Sequence, residues 1–261
     1  MPRVTHNGVE LHYHTEGDGE TVAFVSDVGY GAWLWGWQHR AVAGPRESLV
    51  WDLRGTGRSD APPGPYTVDT LAADFEAVLR DAGIDRAHVV GAGLGGMVAL
   101  RYAREFDRAR TLTLLCTTAN GGDIDATELA ALHPEERNEE ALRESLTGAF
   151  SSGLLDARPD LVDQIVEWRR DEDAPADAVS AQIGAATSFE AGPLYELSLP
   201  TLVCWGREDP AVPPAAAKRL AEELPRGTGE PVEGKHLCFV EHSRAVTERL
   251  LAHIDGQGER S

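Results

Sequence analysis

The sequence predicts an α/β domain built on a mostly parallel central sheet with helices on both faces. Three observations predict it. Short apolar runs alternate with stretches of helical periodicity along most of the chain. A glycine-rich turn joins a buried strand to a helix near residue 93. The 261 residues, 42% of them hydrophobic, suffice for one large domain carrying an insertion.

The elements follow in order. Val4–His6 and Leu11–Thr15 flank Asn7-Gly8, a dipeptide suited to a hairpin turn. Residues 21–25 and 48–51 read as buried strands. A helix is expected over 68–82, with Leu71, Phe75, Val78 and Leu79 on one face, Thr67 or Asp69 as its cap and Gly83 as its stop. Strand 87–90, helix 95–106 and strand 111–116 come next. Strand 201–205 and helices over 214–224 and 239–254 resume the alternation. The interval 119–198 is rich in Glu, Asp, Ala and Leu and shows no strand pattern. It reads as a helical cap insertion over the carboxyl ends of the strands, where ligands bind in such sheets. The core is then 1–118 with 199–255, and 256–261 is an expected frayed tail.

Four segments carry chemistry. Gly91-Ala92-Gly93-Leu94-Gly95-Gly96 lies between a strand and a helix. Asp52-Leu53-Arg54-Gly55-Thr56-Gly57-Arg58-Ser59 forms a polar, glycine-rich turn. Trp205-Gly206-Arg207-Glu208-Asp209 ends a strand with an acid, and Gly234-Lys235-His236 supplies a histidine near the end of the chain. Together they resemble the α/β-hydrolase fold, with its G-x-S-x-G nucleophile elbow, D-x-R-G-x-G-x-S turn, acid segment and G-x-H segment in that chain order. The general likeness is to small capped members such as enol-lactonases and ester hydrolases. The resemblance implies that Asp209 orients His236 as a general base, and that the Val28 and Leu94 amides form an oxyanion hole.

Two departures from the family pattern stand out. The serine position holds Gly93, which has no side chain to attack a carbonyl, so acyl transfer through a serine ester is excluded. After strand 21–25 the family's His-Gly is replaced by Ser26-Asp27-Val28-Gly29. A carboxylate at Asp27 would oppose negative charge nearby, and it reads equally well as a loop hydrogen-bonder or a pocket acid. This pairing is similar to the N-myc downstream-regulated family of inactive relatives, although that family keeps little of the acid–base pair retained here. Ala92, Tyr30, Trp33, Trp168 and Phe189 are candidate pocket residues.

Gly91–Gly96 also matches the G-x-G-x-x-G dinucleotide fingerprint, but no acid ends the next strand, Leu114-Leu115-Cys116-Thr117, to bind a ribose. Cys116, Cys204 and Cys238 show no metal-ligand spacing and read as small packed hydrophobes in a reducing cytoplasm. The start of the chain runs straight into a strand pattern, with neither a signal peptide nor a membrane span expected. No metal or organic cofactor is implied, and the expected partner is a small molecule. No oligomeric state follows from the sequence.

Three functions remain open on these residues. One is an enzyme in which His236 activates water or takes a substrate proton without a covalent intermediate. Another is a pseudo-hydrolase that binds a small molecule. The third is a hydrolase inactivated by substitution at Gly93.

Forty-three acidic residues face 24 basic ones, a net charge of −19, and only Lys218 and Lys235 are lysines. Such a surface repels nucleic acid and anionic membranes. It resembles the solvated surface of salt-adapted proteins, whose self-repulsion is screened as the Debye length falls from about 10 Å at 0.1 M to about 3 Å at 1 M salt. Thermal unfolding in KCl over that range therefore shows a rising midpoint; a flat one marks an acidic protein without salt adaptation.

Overall fold

The computed structural model describes residues 2–258. One eight-stranded sheet runs in the order β1-β2-β4-β3-β5-β6-β7-β8. Its strands are β1 (Arg3–His6), β2 (Val9–Glu16), β3 (Thr21–Val25), β4 (Glu47–Trp51), β5 (Ala87–Ala92), β6 (Ala109–Leu115), β7 (Thr201–Gly206) and β8 (Gly227–Val232). The hairpin β1–β2 and the pair β2–β4 are antiparallel; every other pairing is parallel. Helices α1 (Gly36–Val42), α2 (Val68–Asp81), α3 (Leu94–Glu105), α9 (Pro214–Glu223), α10 (Cys238–Glu241) and α11 (Ser243–Gly258) connect or follow the strands.

Burial follows position in the sheet. Central β3 and β5 are buried at every residue, because helices cover both faces. β2, near the edge, alternates buried and half-buried positions. The Thr67 side chain caps α2 by accepting from Thr70 N, and the helix buries Leu71, Phe75, Val78 and Leu79 as its spacing requires.

Several local expectations need correction. The helix expected over 239–254 is two helices, broken at His242, whose backbone (φ −108°, ψ 39°) leaves the helical region. Trp33 and Trp35 lie on a 3₁₀ turn (Ala32–Trp35) that leads into α1, which carries Trp37. Strand β8 was not anticipated. Its Gly-Thr-Gly-Glu-Pro-Val sequence has little strand propensity, and it is set by pairing with β7 at the sheet edge, where Pro231 is tolerated. Helix α11 continues through the start of the expected frayed tail to Gly258, and residues 259–261 of that tail lie outside the described residues.

Between β6 and β7 lie five helices: α4 (Ala126–Ala131), α5 (Glu139–Ala149), α6 (Ser152–Ala157), α7 (Pro159–Glu172) and α8 (Ala176–Thr187). They dock on loops that follow the strands. Gln182 of α8 accepts from Gly29 N (2.7 Å) and donates to Arg54 O (2.9 Å). Ala174 N donates to Gly29 O, and Gly57 N to Glu172 O. At the other end Leu237 N donates to Ala149 O. No helix among the described residues is long and apolar enough to cross a membrane.

A buried ion pair ties α2 to the sheet edge. Arg54 grips Asp74 with two hydrogen bonds (2.6 and 2.7 Å), and His6 Nδ1 reaches the same carboxylate at 2.7 Å. Removing one member leaves an uncompensated buried charge. Asp74→Ala is therefore expected to lower unfolding free energy by about 3–5 kcal/mol in urea titrations. Asp85→Ala, at a fully exposed partner of Arg108, should change stability by less than about 1 kcal/mol.

Candidate active site

Four positions from distant parts of the chain meet at the carboxyl ends of the parallel strands. Asp27 follows β3, Gly93 follows β5, Asp209 follows β7 and His236 follows β8. The turn at Gly93 is tight. Gly93 adopts φ +47°, ψ −114°, a conformation L side chains rarely take, and its carbonyl accepts from Thr117 Oγ1 at 2.6 Å. A Cβ at Gly91 would overlap the Gly95 carbonyl, and one at Gly95 would overlap the Val25 carbonyl, so strand and helix approach closely only through glycine.

The two amides expected to form an oxyanion hole meet at the Asp27 carboxylate. Val28 N and Leu94 N converge as anticipated, but both donate to Asp27 Oδ1, at 2.6 and 2.8 Å. The other carboxylate oxygen, Oδ2, lies 2.8 Å from His236 Nε2. The Nδ1 atom of His236 is 2.9 Å from both oxygens of Asp209. Asp209 is fixed in turn by the amides of Ala211 and Val212, each 3.0 Å from Oδ1. Asp27 thus resolves as an acid at the centre of the site. A Cβ built on Gly93 would overlap Oδ1, Cγ and Oδ2 of Asp27. The two departures from the family pattern are one steric fact: the Asp27 carboxylate stands where a side chain at position 93 would begin.

Charge follows geometry. Burial opposes ionisation of Asp27, but the His236 hydrogen bond and charge, with the Leu94 and Val28 amides, outweigh it and hold the carboxyl below its ordinary range. Burial likewise opposes the charged form of His236, and Asp209 and Asp27 together overcome it, raising the imidazole well above its ordinary value. Both shifts favour the charged forms, and a carboxylate oxygen faces each ring nitrogen. The family resemblance implied His236 as a general base; here its Nε2 faces the Asp27 carboxylate at 2.8 Å. Leu94 is the first residue of α3, so Asp27 also sits at the positive end of a helix.

The aromatic candidates separate. Tyr30 and Trp33 meet edge to face (5.7 Å), and Trp168 of α7 stacks on Trp33 (6.1 Å). Trp33 Nε1 donates to Asp173 at 2.8 Å. Phe189 is not with them: it packs under Arg101 and lines a separate cavity with Tyr66 and Ser180. Ala92 is buried as the last residue of β5. Ser26 is structural, accepting from Trp35 Nε1. The three cysteines are free and buried, with Cys116 Sγ 3.5 Å from Cys238 Sγ.

The sequence reading missed the cap's own polar core. Arg169 is buried and donates to Asp173 (2.7 Å), Ser145 (2.7 Å) and the Leu132 carbonyl (2.7 Å), and its guanidinium lies 5.1 Å from the Tyr30 ring centre. His133 packs on Tyr30 at 4.6 Å. Burial, with the Arg169 charge, pushes its pKa down to about 3. Tyr30 Oη and His133 Nε2 are both buried without a hydrogen-bond partner. Only the i,i+4 spacing of Arg169 and Asp173 was legible in sequence, and that spacing is common on exposed helices.

The ion pair makes stability depend on pH at both ends. The His236 contribution is complete below the unfolded value of about 6.5 and is lost as pH rises through the raised folded value. The Asp27 contribution is present above about 3.9 and is lost as pH falls through the lowered folded value. Nitrogen NMR at pH 8 should show both ring nitrogens of His236 protonated. In Asp27→Asn the ring should deprotonate at lower pH; an unchanged titration would mean that Asp27 does not hold the proton.

The fold is shared with known proteins. The model of the alpha/beta hydrolase fold family matches residues 29–243. The chain is similar to 3-oxoadipate enol-lactonase 2 of Acinetobacter baylyi, 27% identical over 253 residues that span 95% of this chain and 94% of that one. It is also similar to a putative carbamate hydrolase RutD of Variovorax paradoxus, 30% identical over 257 residues and 92% of each chain. Among solved structures, the enol-lactonase from Burkholderia xenovorans LB400 superposes with a TM-score of 0.86 at 23% identity, covering 97% of this chain and all of that one. With four segments in family order on the family's sheet, and a match running through most of its length, the chain belongs to the alpha/beta hydrolase fold family.

Proposed function

We propose that this chain is a non-hydrolytic member of its family, a pseudo-hydrolase whose reaction centre is occupied by its own carboxylate and whose cap–core interior binds a small molecule. One observation carries the reading: a single buried carboxylate accepts from the Val28 and Leu94 amides through one oxygen and meets His236 Nε2 at 2.8 Å with the other. An oxyanion hole works by holding unspent donors where charge develops in the transition state. Here those donors already face a full negative charge. Freeing them means breaking a buried ion pair, a change of about 3–5 kcal/mol before any substrate is engaged. Tyr30 Oη and His133 Nε2 offer a ligand two hydrogen-bonding groups that the protein leaves unpaired.

A second reading is favoured by the intact Asp209–His236 pair, since a binder has no need of an oriented imidazole. In it the chain is a proton-transfer enzyme or a hydrolase of labile esters or lactones, acting without a covalent intermediate. The base is then Asp27, with His236 as the acid beside it. General acid–base catalysis alone supplies roughly 10²–10⁴-fold.

Aryl-ester turnover by the native chain and five variants tests both. The native chain and Gly93→Ser are expected at background, the latter because the serine collides with Asp27. Asp27→Gly/Gly93→Ser should gain turnover, lost again when His236→Ala is added. Native turnover abolished by His236→Ala and by Asp27→Asn would overturn the pseudo-hydrolase and establish the acid–base enzyme.

A further inference from the structure

A second cluster of donor groups lies near the sheet edge, built from side chains that the Asp27 site does not use. His14 and Glu16 are two residues apart on β2 and therefore project from the same face. The β2–β4 register places Glu16 opposite Ser48 and His14 opposite Val50. Helix α1 packs on β4 and brings His39 onto this face, with its Nδ1 atom 2.7 Å from Ser48 Oγ. That contact fixes the ring and turns Nε2 towards Glu16 Oε2, 3.1 Å away. His14 Nε2 approaches the same carboxylate oxygen at 3.9 Å, and the two imidazoles are tilted at 59° with centres 5.6 Å apart.

We propose that His14, Glu16 and His39 form a binding site for a borderline divalent transition-metal ion, with Zn²⁺ the best match. Two imidazole nitrogens and one carboxylate oxygen are a donor set such ions prefer, and one that Mg²⁺ and Ca²⁺ do not. The three donor atoms lie within 4.8 Å of one another. Tetrahedral zinc, with bonds of about 2.0–2.2 Å, wants them about 3.4 Å apart. The remaining closure falls to the mobile members: the Glu16 side chain is 60% exposed and that of His14 40%, whereas His39 is 13% exposed and pinned. The Ser48 contact to the non-ligating nitrogen of His39 is the kind of outer contact that orients metal-binding histidines. A cavity of about 180 Å³, lined by His14 and His39 together with His12, Asp52, Arg58 and Glu172, adjoins the cluster and leaves room for a water or small ligand at the ion's remaining position.

The charge of the surface makes selectivity the decisive readout, because a net −19 chain attracts any divalent cation diffusely. The test is competition with a chromophoric chelator for Zn²⁺, in excess Mg²⁺ to saturate diffuse binding. The native chain should take up one equivalent. His39→Ala and His14→Ala should each weaken that uptake at least about tenfold, and Ser48→Ala should weaken it about 10–100-fold by freeing the His39 ring. X-ray absorption on the loaded protein should show two imidazoles in the first shell. Circular dichroism confirms that each variant is folded. Absence of a competing equivalent, or uptake unchanged in folded His14→Ala and His39→Ala, overturns the proposal.

Discussion

The site is organised by the exclusion between one carboxylate and one side chain. Asp27 reaches into the volume that a residue at position 93 would need, and glycine is what lets it stay. Once there, it satisfies two amides that would otherwise point at a substrate oxygen, and it closes a run of three charges, Asp27–His236–Asp209. Neither departure from the family pattern makes sense alone. Asp27 with a serine at 93 would clash, and Gly93 with a small residue at 27 would leave His236 Nε2 and the Leu94 amide facing a gap.

Burying two carboxylates and one imidazolium is costly, and the fold offsets that cost locally. Asp209 is held by two amides as well as by the ring, and Asp27 by two more, one of them at the start of α3. Every acceptor is placed by the end of a parallel strand, so the same topology that builds catalytic centres elsewhere in this family here builds a salt-bridge relay. The same contacts hold the Asp27 carboxyl below its ordinary range and raise the His236 imidazole above its own.

The cap depends on the same loop. Gly29, two residues beyond Asp27, accepts from Ala174 N in the α7–α8 connection and donates to Gln182 Oε1 of α8. His133 lies so close over Gly29 that a Cβ there would overlap its ring. The Arg169–Asp173 pair then joins the cap interior to Trp33 and Tyr30. The Asp27 loop and the helices over it are therefore joined through named contacts, and the unpaired atoms of Tyr30 and His133 sit where the two meet.

The sequence by itself determined the sheet, its flanking helices and the chemical identity of the site. Hydrophobic periodicity marks buried strands and amphipathic helices, and glycine spacing marks the tight turn, because these depend on residues close in the chain. It also determined that Gly93 cannot attack a carbonyl, since that follows from atoms the residue lacks. Only the tertiary structure decided what Asp27 does. Its partners lie 67 and 209 residues away, and no local pattern says that one carboxylate will meet both. The same holds for β8, whose pairing overrides a sequence of weak strand propensity, and for Arg169, a charge that reads as solvated until the cap folds over it. Local order was written in local spacing; the state of the site was set by contacts that exist only once the chain has closed on itself.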